Sequence, residues 1–85
     1  NYPNPFNPST SIDFEVFESS NVSLNVYDLS GRLVKNLLSG NLNSGVYTIE
    51  WNGKNNNGIS AAAGVYFYSI SSKENTIIKK MSLIK

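Results

Sequence analysis

Asp13 and Glu15 are the pair of side chains whose types and spacing first suggest acid–base chemistry. In an extended strand they share one face, with their Cα atoms about 6.5 to 7 Å apart. That distance overlaps the carboxyl separation with which inverting glycosidases hold a water between acid and base. A pair on an open strand, however, lacks the walls that exclude water and raise one pKa. We therefore expect solvent-facing charges here.

Other catalytic and metal-binding groups are scarce. The chain has no histidine and no cysteine, so the usual general base, the strongest nucleophile, thiolate metal sites and disulfides are all excluded. The segment Asn52–Gly58 is rich in asparagine but has no carboxylate, whereas Ca²⁺ prefers several carboxylate oxygens. A plain turn is expected there. The sequence thus predicts no catalytic, cofactor or metal site, and no enzyme.

Aromatic side chains offer a further kind of site. Tyr47 with Trp51, and Tyr66 with Tyr68, stand at the spacing of one strand face and could form a platform on which sugars stack. Aromatic residues also dominate the cores of small β-domains, and we expect them there, with Trp51 at the centre. A carbohydrate-binding module stays open as the third interpretation.

Composition limits the possible partners. The 85 residues make one domain; 40% are apolar, 15% are charged, and the net charge is +1. This balance is typical of a globular domain and gives no electrostatic basis for binding nucleic acid or acidic membranes. No apolar run reaches the roughly 18 residues of a membrane span.

Alternating apolar and polar residues predict six or seven strands and no helix long enough to cross a sheet. Only the segment 32–38 is ambiguous, because its apolar residues also match helical spacing. Seven residues are too few for a stable helix, so we predict a strand there. Asp28–Gly31 is predicted to be a hairpin turn and Gly40–Gly45 a loop. The predicted strands are 11–17, 22–27, 32–38, 46–51, 65–70 and 76–84.

The last two predicted strands depart from simple alternation. Residues 65–70 are apolar on both faces, which indicates a central strand covered on two sides. In 76–84, strict alternation would place Lys79 on the same face as Met81 and Leu83. Because a buried lysine is costly, we expect a β-bulge at Lys79-Lys80 that leaves both lysines in water.

These elements predict an all-β, immunoglobulin-like antiparallel β-sandwich of six to seven strands without a disulfide. The sandwich would occupy residues 11–85. Residues 1–10 would form a proline-rich lead-in, since Pro3, Pro5 and Pro8 fix φ and favour extended neighbours. The whole chain is interpreted as one domain cut from the carboxyl end of a larger secreted protein.

Five blocks of the chain are familiar in order and spacing. Together they resemble the type A C-terminal sorting domain of the type IX (Por) secretion system of Gram-negative bacteria. The part from Trp51 to Tyr68 is also similar to the immunoglobulin-like domain of a flagellar hook-assembly protein. The blocks are Tyr2–Thr10, Val26–Arg32, Trp51–Gly53, Gly64–Tyr68 and Lys79–Lys85.

The sorting-domain resemblance implies a non-catalytic signal that directs a cargo in the same chain across the outer membrane. The implied partners are the type IX translocon and sortase, which commonly cleaves upstream and attaches the cargo to the cell surface. The implied location is secreted or cell-surface, reached through the periplasm. In the asparagine segment, where relatives often have aspartates, this chain departs from the pattern. The residues implied in recognition are Pro3, Asn4, Pro5, Phe6, Asn7, Pro8, Gly31, Arg32, Lys79, Lys80 and Lys85.

The second interpretation needs no secretion machinery. The chain could be a structural immunoglobulin-like spacer or assembly module of an extracellular protein. This interpretation predicts that residues follow Lys85 in the parent gene, or that several copies of the module stand in tandem.

Overall fold

A computed structural model describes residues 9–73 and 75–84. Within that part of the chain the regular structure consists of six strands, and there is no helix that could span a membrane. The strands are β1 (Thr10–Val16), β2 (Ser20–Tyr27), β3 (Leu33–Leu42), β4 (Gly45–Trp51), β5 (Gly64–Ser71) and β6 (Thr76–Leu83).

The six strands form two antiparallel sheets. β1 pairs with β4, and the larger sheet has the order β3-β2-β5-β6. Strands β1 and β2, and likewise β3 and β4, follow each other in the chain but lie in different sheets. The connections therefore cross between layers, as in a sandwich. The predicted all-β, immunoglobulin-like fold with six strands is confirmed.

The core lies between the sheets and follows the predicted alternation. Every second residue of β1 and β2 is buried, and β4 ends on the fully buried Trp51. One cluster joins β1 to the β2 and β5 strands opposite, and a second surrounds Trp51. The buried apolar residues are Ile12, Phe14, Val16, Val22, Leu24, Val26, Trp51, Tyr66, Tyr68 and Leu83.

The ambiguous segment is a strand, as predicted, but β3 is longer and irregular. Two register shifts against β2 leave Leu37 and Val34 as extra residues, so parity changes twice along the strand. This is why Val34, Leu37 and Leu38 can all pack on the core at a spacing that imitates a helix. The predicted loop Gly40–Gly45 is wrong: β3 continues to Leu42, because that side chain also packs on the core.

The predicted bulge in β6 is wrong. β5 and β6 pair without a register shift, with Phe67 opposite Lys80 and Tyr68 opposite Lys79. Lys79 therefore shares the core-facing side of β6 with Met81, yet it is exposed. β6 is the edge strand of the larger sheet, and there an inward-pointing lysine reaches water past the sheet edge. Such a charge protects an open edge from pairing with other chains.

β5 is central in its sheet, and its outer face is covered only in part. Tyr66 and Tyr68 are buried between the sheets, whereas on the outer face Val65 is exposed, Phe67 is half-buried and Ser69 is buried. The prediction of full cover on both sides is therefore wrong. Phe67 instead packs beside Tyr27, its partner across the β2–β5 pair, and such pairs stabilise an exposed sheet face.

Candidate functional site

The predicted carboxylate pair lies on the outer face of the smaller sheet. Asp13 and Glu15 are both exposed, as expected, and the Asp13 carboxylate accepts a hydrogen bond from the Thr48 hydroxyl at 2.8 Å. Both side chains are open to solvent and lack the enclosure that a catalytic carboxylate pair needs. Among residues 9–73 and 75–84 no group of three or more acidic side chains is gathered closely enough to hold a metal ion.

The hairpin turn after β2 is built by Asp28. Its Oδ1 accepts hydrogen bonds from the Ser30 hydroxyl and from the backbone N–H groups of Ser30 and Arg32. Gly31 takes the φ of +89° that closes the turn, and Arg32 Nε lies 3.4 Å from the Asp28 carboxylate. The Ser30 hydroxyl and then the Arg32 N–H hold the pKa of Asp28 below its ordinary value of 3.8.

The asparagine segment repeats that turn with an amide in place of the carboxylate. Asn55 Oδ1 accepts from the N–H groups of Asn57 and Ile59, as Asp28 Oδ1 does from Ser30 and Arg32. The backbone bonds also correspond: Asn55 N–H donates to the Ile59 carbonyl, and Gly58 N–H to the Asn55 carbonyl. Gly58 has a φ of +79°. The oxygen of Asn55 thus stabilises the turn, as the plain-turn prediction requires.

Asn56 docks this turn on the outer edge of β3. Its backbone N–H donates to the Val34 carbonyl, and its Oδ1 accepts from the Asn36 N–H, both at 3.1 Å. The side-chain amide of Asn36 in turn donates hydrogen bonds to Asn25 Oδ1 and to the Ser39 hydroxyl. The irregular stretch of β3 therefore finds hydrogen-bond partners in a loop. Local sequence patterns do not reveal this contact, because the two segments are 20 residues apart.

The aromatic side chains proposed as a sugar platform lie in the core. Trp51 is fully buried, its indole N–H donates to the Lys54 carbonyl at 2.9 Å, and Tyr66 meets it edge-to-face at 5.1 Å. Tyr68 is buried as well, and the half-buried Tyr47 stacks on Phe14 at 5.5 Å. Rings enclosed in this way cannot stack on a polysaccharide. The prediction of a core centred on Trp51 is confirmed.

A groove that the sequence did not predict opens at one end of the sandwich. It lies between the β1–β2 turn and the β5–β6 turn and has a volume of about 400 Å³. We call it the end groove. Phe17, with 80% of its surface exposed, forms one wall. The one sequence sign of this feature is that Phe17 is a large apolar residue on the predicted outer side of β1.

The residues implied in recognition by a secretion system have scattered positions. Gly31 and Arg32 lie in the turn after β2, and Lys79 and Lys80 are exposed on β6. Pro3, Asn4, Pro5, Phe6, Asn7, Pro8 and Lys85 lie outside the described residues. Gly31 and Arg32 have structural roles, since Gly31 closes the turn and Arg32 pairs with Asp28.

Comparison with solved structures gives the fold's relatives. FlgD of P. aeruginosa superposes with a TM-score of 0.69 at 23% identity, over 88% of this chain and 59% of that one. FlgD of Xanthomonas campestris, described for hook capping in flagellar assembly, gives 0.69 at 22%, over 91% and 56%. This chain therefore spans less than two thirds of either protein. No curated protein matches it.

A family model settles which of the two resemblances holds. The FlgD Ig-like domain matches residues 6–76, most of the chain and the first five of the six strands. The type IX sorting domain, and with it the sorting function, is therefore wrong. The similarity to a hook-assembly domain, noted for Trp51–Tyr68, extends across both sheets. The chain belongs to the family of FlgD Ig-like domains.

Proposed function

We propose that this domain is a non-catalytic assembly module of a larger protein that helps to build an extracellular appendage. The family match over residues 6–76 is the observation that supports this most strongly. Of the two solved FlgD proteins, one is described as capping the flagellar hook. The second interpretation from the sequence, a structural immunoglobulin-like assembly module, fits this family where the sorting signal does not.

The polar groups of the described residues agree with a structural role. The loop side chains that could bind a ligand, Asp28 and Asn55, instead hold backbone N–H groups of their own turns. No buried side-chain nitrogen or oxygen in residues 9–73 and 75–84 lacks a hydrogen-bond partner. A domain whose polar groups are satisfied internally is suited to act through its shape and its exposed faces.

In this proposal the partners are proteins. One is the remainder of the same polypeptide, because the solved FlgD chains are longer than this domain. The others are the subunits of the appendage, and the place of action is outside the cytoplasmic membrane. No nucleic acid and no cofactor takes part.

A domain exchange tests the proposal. The Ig-like domain of X. campestris FlgD is replaced by this chain in a strain lacking its own FlgD, and swimming in soft agar is measured. The matched control carries the Ig-like domain of P. aeruginosa FlgD, a second FlgD protein, and another control lacks the domain. Swimming close to the first control supports the proposal. Swimming no better than without the domain, with the exchange protein present in normal amounts, contradicts it.

A further inference from the structure

We propose that the end groove is a self-association site, which takes the Phe17 side chain of a second copy of this chain. Each copy would insert its Phe17 into the groove of the other around a two-fold axis. The inference goes beyond the proposed function and does not depend on it, because it concerns contacts between two identical domains in solution.

The groove is apolar at its floor. Val16 and Val22, at the ends of β1 and β2 that face the groove, are buried, and Ile70 of β5 is half-buried. Ile77 of β6 is 49% exposed beside them. The β1–β2 turn passes from one sheet to the other here, while the β5–β6 turn stays within the larger sheet. The two layers therefore separate at this end and leave Ile70 and Ile77 partly exposed.

Phe17 is the complementary feature, a projecting ring at the edge of the same groove. It is more exposed than any other large apolar side chain of the described residues. The groove volume of about 400 Å³ lies at the lower end of the range of protein pockets that bind small ligands, and one phenyl ring fits such a space. A projection and a recess on one surface patch are what a two-fold interface requires, since both copies present the same patch.

Among the described residues, charges of opposite sign also lie on the two sides of the groove. Glu15 and Glu18 lie on the side of the β1–β2 turn, and Lys73 lies on the side of the β5–β6 turn. A two-fold axis through the groove reverses this direction in the second copy. When that axis runs along the groove, the carboxylates of one copy face Lys73 of the other, and these contacts favour the orientation that exchanges Phe17.

Other exposed apolar side chains lack this combination. Leu29, 67% exposed, projects from the turn at the far end of β2. The eight residues of β2 separate it from the end groove by about 26 Å. Isolated surface side chains of this kind are common in monomers. Leu29 therefore serves as the control for Phe17.

Sedimentation equilibrium of the 85-residue chain up to about 1 mM, a range that detects weak complexes, gives the first test. We expect reversible dimers, weakened about tenfold or more by Phe17→Ser, because each dimer loses two buried rings. Leu29→Ser should leave the association unchanged. Lys73→Glu should weaken it, and adding Glu18→Lys should restore it. A monomer throughout this range, or equal loss with Leu29→Ser, overturns the proposal.

A spin label locates the contact independently. Because the chain has no cysteine, Ser72→Cys introduces a unique attachment point beside the groove. Mixed with ¹⁵N-labelled wild-type chain, this labelled variant should broaden amide resonances of residues 15–22 and 70–77. A label on Ser30→Cys, at the opposite end, should broaden none of them. Broadening centred on any other face, or on none, contradicts a shared end groove.

Discussion

Trp51→Phe and Trp51→Ala should separate the packing of this indole from its hydrogen bond. Trp51 is fully buried, its N–H donates to the Lys54 carbonyl, and its ring packs edge-to-face with Tyr66. Removing a buried tryptophan side chain costs about 3–5 kcal/mol. Phenylalanine keeps an aromatic partner for Tyr66 but leaves the Lys54 carbonyl without its donor, which costs about 1–3 kcal/mol.

The small size of the domain makes these losses a large fraction of its total free energy of unfolding. At 85 residues, a typical stability is about 4–13 kcal/mol, so Trp51→Ala removes a large share of the stability while Trp51→Phe leaves a folded protein. Urea unfolding followed by far-ultraviolet circular dichroism is the assay, because Trp51 is the single tryptophan and its fluorescence is lost in both variants.

Val46→Ala is the matched control, since this strand residue is 76% exposed on the outer face. It should change the free energy of unfolding by less than about 0.5 kcal/mol. The reasoning is refuted if Trp51→Ala lowers the free energy of unfolding by less than about 1 kcal/mol, because the loss of a fully buried tryptophan side chain should destabilise the domain by more than that. It is also refuted if Trp51→Phe costs as much as Trp51→Ala.

Three further substitutions test other parts of the structure. The pKa of Asp28 is lowered by folding, so its stabilising contribution is complete above about pH 5 and is lost as the pH falls through the folded value; Asp28→Asn should flatten the loss of stability below about pH 5, and an unchanged slope in acid unfolding contradicts this. Asn56→Ala removes the acceptor for the Asn36 N–H, so amide exchange at Asn36 should accelerate while the free energy of unfolding falls by about 0.5–1.5 kcal/mol; an equally protected amide would show that the loop does not dock there. Lys79→Ile removes the inward-pointing charge of edge strand β6 and should increase aggregation on heating, as read by light scattering, with little change in stability; unchanged scattering would show that Lys79 does not protect the edge.

Strand parity predicted β1, β2 and β4 well, because each has one face buried and the other in water. β3 follows no single period. Its two register shifts turn Val34, Leu37 and Leu38 toward the core. Bulges of this kind depend on partners distant in the chain, here the docked Asn56. The local sequence of β3 therefore does not predict these bulges.

The mistakes in β5 and β6 both come from inferring burial from residue type. The β5 prediction took apolar residues on both faces as a sign of cover on both faces, yet on the outer face Val65 is exposed and Phe67 half-buried. The β6 prediction took an inward-facing position as buried. The second layer has only two strands, against four in the larger sheet, and an inward Lys79 is solvated at the edge. Sheet width follows from the order of strands in space, which alternation along the chain does not reveal.

Some features of the candidate sites could be predicted from the sequence, and others could not. The lack of histidine and cysteine and the exposure of Asp13 and Glu15 could be judged from the sequence. The asparagine turn was also correctly expected to be structural. The end groove could not be predicted, because it is formed by two turns that lie far apart in the chain.

The most direct measurement of the central claim counts hooks by electron microscopy in the domain-exchange strain. If this chain is a working FlgD Ig-like module, hooks per cell should equal those in the strain with the P. aeruginosa domain, and both should exceed the strain that lacks the domain. Cells without hooks, despite a folded exchange protein in normal amounts and hooks in the P. aeruginosa control, would contradict the account.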